Sequence, residues 1–144
     1  MRKIFLLSSA LVITYLLPAC KKSSNTSNAR TVQNLSGSYN LTSLVWTSNG
    51  ISVNVYDSLP ACEKDNIFRL DADGSAHSID VKILCDPLSP DSVTTWSLSS
   101  NGDSLFLNNQ GVLIKSWDGK TLVYTGTLTT SPVLVTGATT LVKQ

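Results

Sequence analysis

The sequence predicts an all-β fold, an antiparallel up-and-down meander of about eight strands that closes into a barrel. No stretch keeps an apolar period of 3.6 residues, several stretches alternate apolar and polar side chains, and turn-forming residues recur about every ten positions. Short connections between consecutive strands require antiparallel hairpins, and closing the meander removes exposed strand edges. A two-sheet β-sandwich is the alternative fold.

The first residues have the layout of an export signal. Residues 1–19 begin with two basic residues, continue with an apolar run and end on a small residue. Leu17-Pro-Ala-Cys20 resembles the bacterial lipobox, in which the cysteine is lipidated and becomes the mature N-terminus. Cys20 is therefore the predicted lipidation site, and the chain is expected to attach to a membrane through at least two acyl chains. The alternative is a plain secretory signal that happens to precede a cysteine.

The rest of the chain is expected to form a tether and one domain. Residues 20–33 are rich in Ser, Asn and Thr and contain no aromatic residue, which predicts a flexible tether. Residues 34–144 are long enough for one domain. Beyond Arg30 the chain carries six basic and ten acidic residues, a net charge of −4. Because nucleic-acid binding needs a basic surface, nucleic acid is excluded as an expected partner.

Nine strands are predicted from these alternations and turn signals. They are Gly37–Trp46, Ile51–Tyr56, Asn66–Leu70, Ser75–Leu84, Val93–Ser99, Ser104–Leu107, Val112–Trp117, Thr121–Leu128 and Val133–Val142. Sequences such as Ser48-Asn-Gly50 and Asn108-Asn-Gln-Gly111 separate them, and these residue types favour tight turns.

Two cysteines remain once Cys20 is assigned to lipid. Cys62 and Cys85 stand almost opposite each other across the hairpin centred on Asp71–Gly74. In an exported protein this arrangement predicts a disulfide. Two free thiols or a metal-binding pair are the alternatives, although no histidine or third cysteine lies nearby in sequence.

Several motifs of this chain resemble the lipocalin-like domains common among lipoproteins of the Bacteroidota. They are Leu35-Ser-Gly37 with Tyr39 and Leu41, Cys62-Glu-Lys-Asp-Asn-Ile-Phe68, Leu70 with Asp73-Gly74, Cys85-Asp-Pro87, Thr95-Trp-Ser-Leu98, Leu122–Thr125 and Thr139-Thr-Leu141. The resemblance covers about residues 34–143. It implies a lipocalin-like barrel of about eight strands and no assigned chemistry, and only fold-level analogy suggests an apolar ligand inside the barrel.

The sequence offers little material for catalysis. His77 is the only histidine, so neither a histidine-based zinc site nor a conventional catalytic triad is expected. Asp71-Ala-Asp-Gly74 faintly resembles a calcium loop, but the later acidic ligands are missing, and a hairpin turn is the favoured interpretation. The chain is therefore predicted to be no enzyme and to carry no cofactor and no metal.

Binding is the better supported class of function. Most aromatic side chains are expected in the core, and the candidates for ligand contact are Tyr56, Trp117 and Trp96. Tyr56 and Trp117 each stand at a strand end beside an acidic residue. The first hypothesis is a lipid-anchored cell-envelope binding or scaffold module that holds a small apolar or amphipathic ligand. The second is an interaction protein with a filled core that binds an envelope protein or a glycan through its loops.

The expected location is the outer membrane. The periplasmic face is favoured over the cell surface because residues 21–25 lack the acidic residues that often follow the cysteine in surface-exported lipoproteins of this group. The interior of the barrel distinguishes the two functional hypotheses: a cavity favours a ligand, and a solid interior favours the interaction protein.

Overall fold

The computed structural model describes residues 28–85, 91–130 and 133–144. The predicted export signal, Cys20 and most of the predicted tether lie outside the described residues. Within them the chain forms nine strands, two short α-helices and one 3-10 helix. In chain order these are α1 Val32–Leu35, β1 Gly37–Ser48, β2 Ile51–Asn54, the 3-10 helix Tyr56–Ser58, α2 Ala61–Lys64, β3 Ile67–Leu70, β4 Ser75–Ile79, β5 Asp91–Leu98, β6 Ser104–Leu107, β7 Gln110–Trp117, β8 Thr121–Thr130 and β9 Val133–Lys143.

The strands form a closed antiparallel barrel of eight strands with one additional strand. β1 closes it by pairing with β9, from Tyr39 opposite Lys143 to Thr47 opposite Thr136. The other edge of β1 is shared, because its first residues pair with β3 and its last residues pair with β2. β2 is thus the extra strand, which extends one wall of the barrel. The predicted all-β barrel is confirmed.

Asparagine and glycine make two of the hairpin turns. Asn49 and Gly50 join β1 to β2 with φ of 49° and 78°, and Asn108 and Asn109 join β6 to β7 with φ of 48° and 64°. Two consecutive left-handed residues match the right-handed twist of the strands that they connect. The turn signals in the sequence therefore specify these hairpins locally.

The hydrophobic core lies at one end of the barrel. Side chains that face inward there are almost completely buried, among them Tyr39, Leu41, Leu70, Trp96, Leu105, Ile114, Leu122 and Leu141. Burial falls along β1 towards its far end, where Trp46 is 42% exposed. The barrel therefore has a packed end and a more open end, which we call the mouth.

Helix α1 closes the packed end. Thr31 caps it by accepting a hydrogen bond from the Asn34 N–H (3.2 Å), and Leu35 is fully buried. The Lys143 ammonium donates to the Asn34 carbonyl (3.0 Å), which links the helix to the end of β9. Arg30 adds a salt bridge to Asp103 in the β5–β6 turn (2.9 Å).

The fourth strand is shorter than the sequence predicts. Ser75–Leu84 was expected, but β4 ends at Ile79. The following residues turn away because the Asp80 and Asp65 carboxylates accept hydrogen bonds from the N–H groups of Cys85 (3.2 Å) and Ile83 (3.1 Å).

A disulfide joins Cys62 in α2 to Cys85 in the loop after β4, with 5.2 Å between the Cα atoms. The predicted pairing is confirmed. It connects the two segments that border the mouth above the short strands β3 and β4.

Candidate functional site

Two cavities occupy the inside of the barrel. The lower chamber, about 210 Å³, lies next to the packed core, and its apolar lining includes Phe68, Leu70, Ala76, Leu105, Leu107 and Leu141. The upper chamber, about 660 Å³, lies towards the mouth, and its lining includes Leu44, Trp46, Val112, Gly126, Gly137 and Thr139. Small-molecule sites usually measure about 300–1,000 Å³, so the upper chamber is large enough for a ligand even without the lower chamber.

A pair of inward-facing glycines makes room for the upper chamber. Gly126 in β8 stands opposite Gly137 in β9, and Gly137 stands opposite Trp46 in β1. A Cβ atom on Gly137 would lie 3.6 Å from Trp46 Cδ1, an ordinary contact, whereas one on Gly126 would lie 3.0 Å from Val112 Cγ1. Two of the three residues in the row Trp46–Gly137–Gly126 therefore contribute no side chain to the barrel interior, and the Trp46 and Val112 side chains lie against them at the wall of the chamber.

Tyr124 lies at the boundary of the two chambers, because its side chain contributes to the lining of both. It stands opposite Thr139, which also lines the upper chamber. Burial raises the pKa of the Tyr124 phenol, and a hydrogen bond with the Thr139 side chain partly opposes that rise. The phenol is therefore neutral at physiological pH and offers a ligand a polar but uncharged contact.

The apolar lining continues past the mouth. A groove of about 570 Å³, which we call the rim groove, is lined by Trp46, Ile51, Val53, Val55 and Val135 together with polar residues of the β1–β2 turn. Ile51 is 70% exposed and Val53 is 57% exposed. Trp46 lines both the rim groove and the upper chamber, so the apolar surface is continuous from one to the other.

The lining residues carry little charge. Among the described residues that border either chamber, none is Asp, Glu, Lys or Arg. His77 borders the lower chamber, and its Nε2 lies 3.1 Å from Asp71 Oδ2. The two chambers are therefore suited to uncharged groups, because a buried charge without a partner is costly.

The three aromatic residues predicted to contact a ligand do not line these cavities. Trp96 is 4% exposed and donates from its indole N–H to the Asp71 carbonyl (2.7 Å). Trp117 is 7% exposed and packs near Tyr39 at the closed end, with 6.5 Å between the ring centroids. Tyr56 lies in the 3-10 helix beneath the Lys64 ammonium, 5.5 Å from the ring centroid. The structure thus places these residues in the packing of the domain and does not bring them together.

His77 forms a polar cluster with the β3–β4 turn. Its Nε2 lies 3.1 Å from Asp71 Oδ2 and 3.4 Å from Ser75 Oγ. In a catalytic triad the carboxylate and the hydroxyl bind different ring nitrogens, so this cluster does not have triad geometry. The turn itself is closed by the Gly74 N–H, which donates to the Asp71 carbonyl (3.0 Å).

The described residues contain no group of three or more His, Cys, Asp or Glu side chains arranged to hold a metal ion. Within the same ranges, no helix has the length and apolar character needed to cross a membrane.

Sequence reasoning missed the residues that shape the chambers. Gly126 and Gly137 each interrupt a predicted strand, and an isolated glycine inside a strand often marks a site where another group approaches closely. That signal was present, but nothing local shows that the two glycines face each other or point inward.

No protein-family model matches the chain, and comparisons with curated proteins and with solved structures gave no match either.

Proposed function

We propose that the barrel binds a small apolar or amphipathic ligand in its two chambers, and that lipid on Cys20 attaches this binding domain to the cell envelope. The observation that carries the proposal is the Trp46–Gly137–Gly126 row. Barrel interiors without a ligand are normally filled by side chains. Here Gly137 and Gly126 contribute none, and a chamber of about 660 Å³ lies beside this row.

The chemistry of the lining supports a ligand that is mainly apolar. The lining of both chambers is mainly apolar. Uncharged polar groups are supplied by Tyr124, Thr139, Thr127 and Gln110 in the upper chamber and by serine and threonine side chains in the lower one. Such a mixture is typical of small-molecule sites, in which a few polar groups orient an otherwise apolar ligand.

The sequence supports the envelope location. In the lipobox-like Leu17-Pro-Ala-Cys20 the proposed lipid would stand 12 residues before helix α1, which begins at Val32. We propose the outer membrane as the anchoring membrane, with the domain on its periplasmic face.

The alternative function is that of an interaction protein that binds through its loops. It predicts a barrel interior filled with side chains. The described interior holds two chambers of about 660 and 210 Å³, so it favours the ligand-binding function.

A dye-binding experiment tests the proposal. The mature chain, residues 20–144 with Cys20→Ser, is exported behind a cleavable signal so that it is soluble and its disulfide forms. It is titrated with an uncharged naphthylamine dye that fluoresces in apolar surroundings. Gly137→Leu places a side chain in the upper chamber without a Cβ clash, and we expect it to weaken dye binding by about tenfold or more.

The matched control is Ala138→Leu, which adds the same volume one position along β9, on the opposite face of the strand. It should bind the dye like the wild type. Circular dichroism checks that all three proteins are folded. If they bind the dye equally, or if the wild type binds none, the proposed function is wrong.

A further inference from the structure

The chambers and the rim groove lie in sequence along one strand. In β9 the inward-facing residues are Leu141 in the lower chamber, Thr139 and Gly137 in the upper chamber and Val135 in the rim groove. The six residue-to-residue steps from Val135 to Leu141 span about 20 Å. The site is therefore long as well as apolar.

The lower chamber suits the end of a ligand better than a whole ligand. Its volume of about 210 Å³ lies below the usual range of about 300–1,000 Å³ for a small-molecule site. Tyr124 lines both chambers, so a group that extends from the upper chamber into the lower one passes beside this ring. A narrow, unbranched group fits that route better than a fused ring system.

The two ends of the site differ in their access to water. The lower chamber ends on Leu70, Leu105 and Leu141, which are nearly fully buried, and α1 closes the barrel beyond them. The rim groove is open and contains the polar residues Ser48 and Asn49 beside its apolar side chains. The rim groove therefore offers the polar end of a ligand more water and more polar neighbours than the apolar floor of the lower chamber does.

We propose that the ligand is a single-chain amphiphile, with its hydrocarbon tail in the lower chamber and its polar head at the rim groove. This inference rests on the proposed function and names the ligand class of the same site. An acyl chain reaches about 15 Å, half of the roughly 30 Å hydrocarbon thickness of a bilayer. The path of about 20 Å along β9 holds such a chain and leaves the head at the mouth.

Competition for the bound dye tests the inference on the wild-type mature chain, again with Cys20→Ser. Tetradecanoate has one carboxylate, which stays in water at the mouth. Tetradecanedioate has the same length and a carboxylate at each end, so in the proposed orientation one of them lies in the lower chamber, whose described lining contains no Lys or Arg. Because burying that charge is costly, we expect the diacid to compete about tenfold or more weakly than the monoacid.

A rigid polycyclic alcohol of similar apolar area is the third competitor, and it is expected to compete more weakly than tetradecanoate because the lower chamber, about 210 Å³, accepts a narrow tail better than a fused ring system. Equal competition by the monoacid and the diacid would overturn the inference, as would stronger competition by the polycyclic alcohol or no competition by tetradecanoate. If one of these results occurs while Gly137→Leu still weakens dye binding, only the ligand class is wrong and the proposed function is retained. Dye binding that is the same in Gly137→Leu contradicts the proposed function itself.

Discussion

The phenol of Tyr39 donates a hydrogen bond to the main-chain carbonyl of Leu35, and both side chains are completely shielded from solvent. This contact joins the first strand of the barrel to helix α1 at the closed end. Burial raises the pKa of Tyr39 to about 12. The contact therefore persists in the folded protein at a pH where tyrosines of the unfolded chain have already ionised.

Replacing Tyr39 with phenylalanine is expected to lower the free energy of unfolding by about 1–2 kcal/mol near neutral pH. The substitution keeps the ring and removes the donor, which leaves the buried Leu35 carbonyl without this partner. Urea unfolding at neutral pH measures the effect, and an unchanged unfolding midpoint would contradict it.

The difference in the free energy of unfolding between the wild type and Tyr39→Phe should shrink between about pH 10 and pH 12. Above pH 10 the unfolded chain loses the Tyr39 proton while the folded protein keeps it, so stability falls as pH rises. The shift to about 12 corresponds to about 2–3 kcal/mol of stability, present below pH 10 and lost by about pH 12. Urea unfolding of both proteins at about pH 8 and about pH 11 tests this. A constant difference between the two proteins would show that Tyr39 does not titrate in this way.

Removing the Cys62–Cys85 bridge should lower the free energy of unfolding by roughly 3 kcal/mol, because the disulfide closes a loop of about 24 residues in the unfolded chain. The double variant Cys62→Ser/Cys85→Ser and the reduced wild type should unfold at the same urea concentration. Peptide mass spectrometry without reductant should find the two cysteines linked. Two free thiols, or equal stability with and without reductant, would refute the role of the bridge.

Filling the lower chamber with a larger side chain should limit the length of the acyl chain that the barrel can bind. Ala76 lines this chamber and is nearly fully buried, so Ala76→Leu adds three carbon atoms to a restricted space. We expect dye competition by tetradecanoate to weaken several-fold, while competition by decanoate changes little because its shorter tail stops nearer the mouth. The Ala138→Leu protein, with its added volume outside, should retain the affinity of the wild type for both. Equal loss for the two chain lengths would place the tail elsewhere.

Cys20 should carry the lipid. In a bacterial host that processes lipoproteins, the full chain should incorporate labelled palmitate and Cys20→Ala should not. The Cys62→Ser/Cys85→Ser variant is the control, because it keeps Cys20 and should be labelled like the wild type. Equal labelling of Cys20→Ala and wild type would rule out the anchor.

Much of the fold was predictable because its signals are local. Asn49-Gly50 and Asn108-Asn109 adopt the left-handed backbone that their residue types favour, and the strands around them begin and end within a few residues of the predicted limits. The fourth strand shows the limit of predicting strand ends from the local sequence. Its alternation continues to Leu84, but hydrogen bonds from the loop to Asp65 and Asp80 end it at Ile79.

The candidate site was less predictable than the fold. Trp96 and Trp117 are residue types that often contact ligands, yet their position near the closed end buries them in the core. Gly126 and Gly137 have no side chain that could suggest chemistry, and they shape the upper chamber only because the β8–β9 register sets them opposite each other.

The sequence by itself determined the antiparallel order of the strands from β3 to β9, the turns and the pairing of the two cysteines, since each depends on residues near one another in the chain or on their number. The pairing of β1 with β3, which leaves β2 outside the barrel, departs from the predicted consecutive meander. Only the tertiary structure decided that the barrel closes through Tyr39 and Lys143 and that its interior stays partly empty. Alternation within a strand specifies which side chains share a face. Whether that face meets a filled core or an open chamber depends on side chains brought together from strands far apart in sequence.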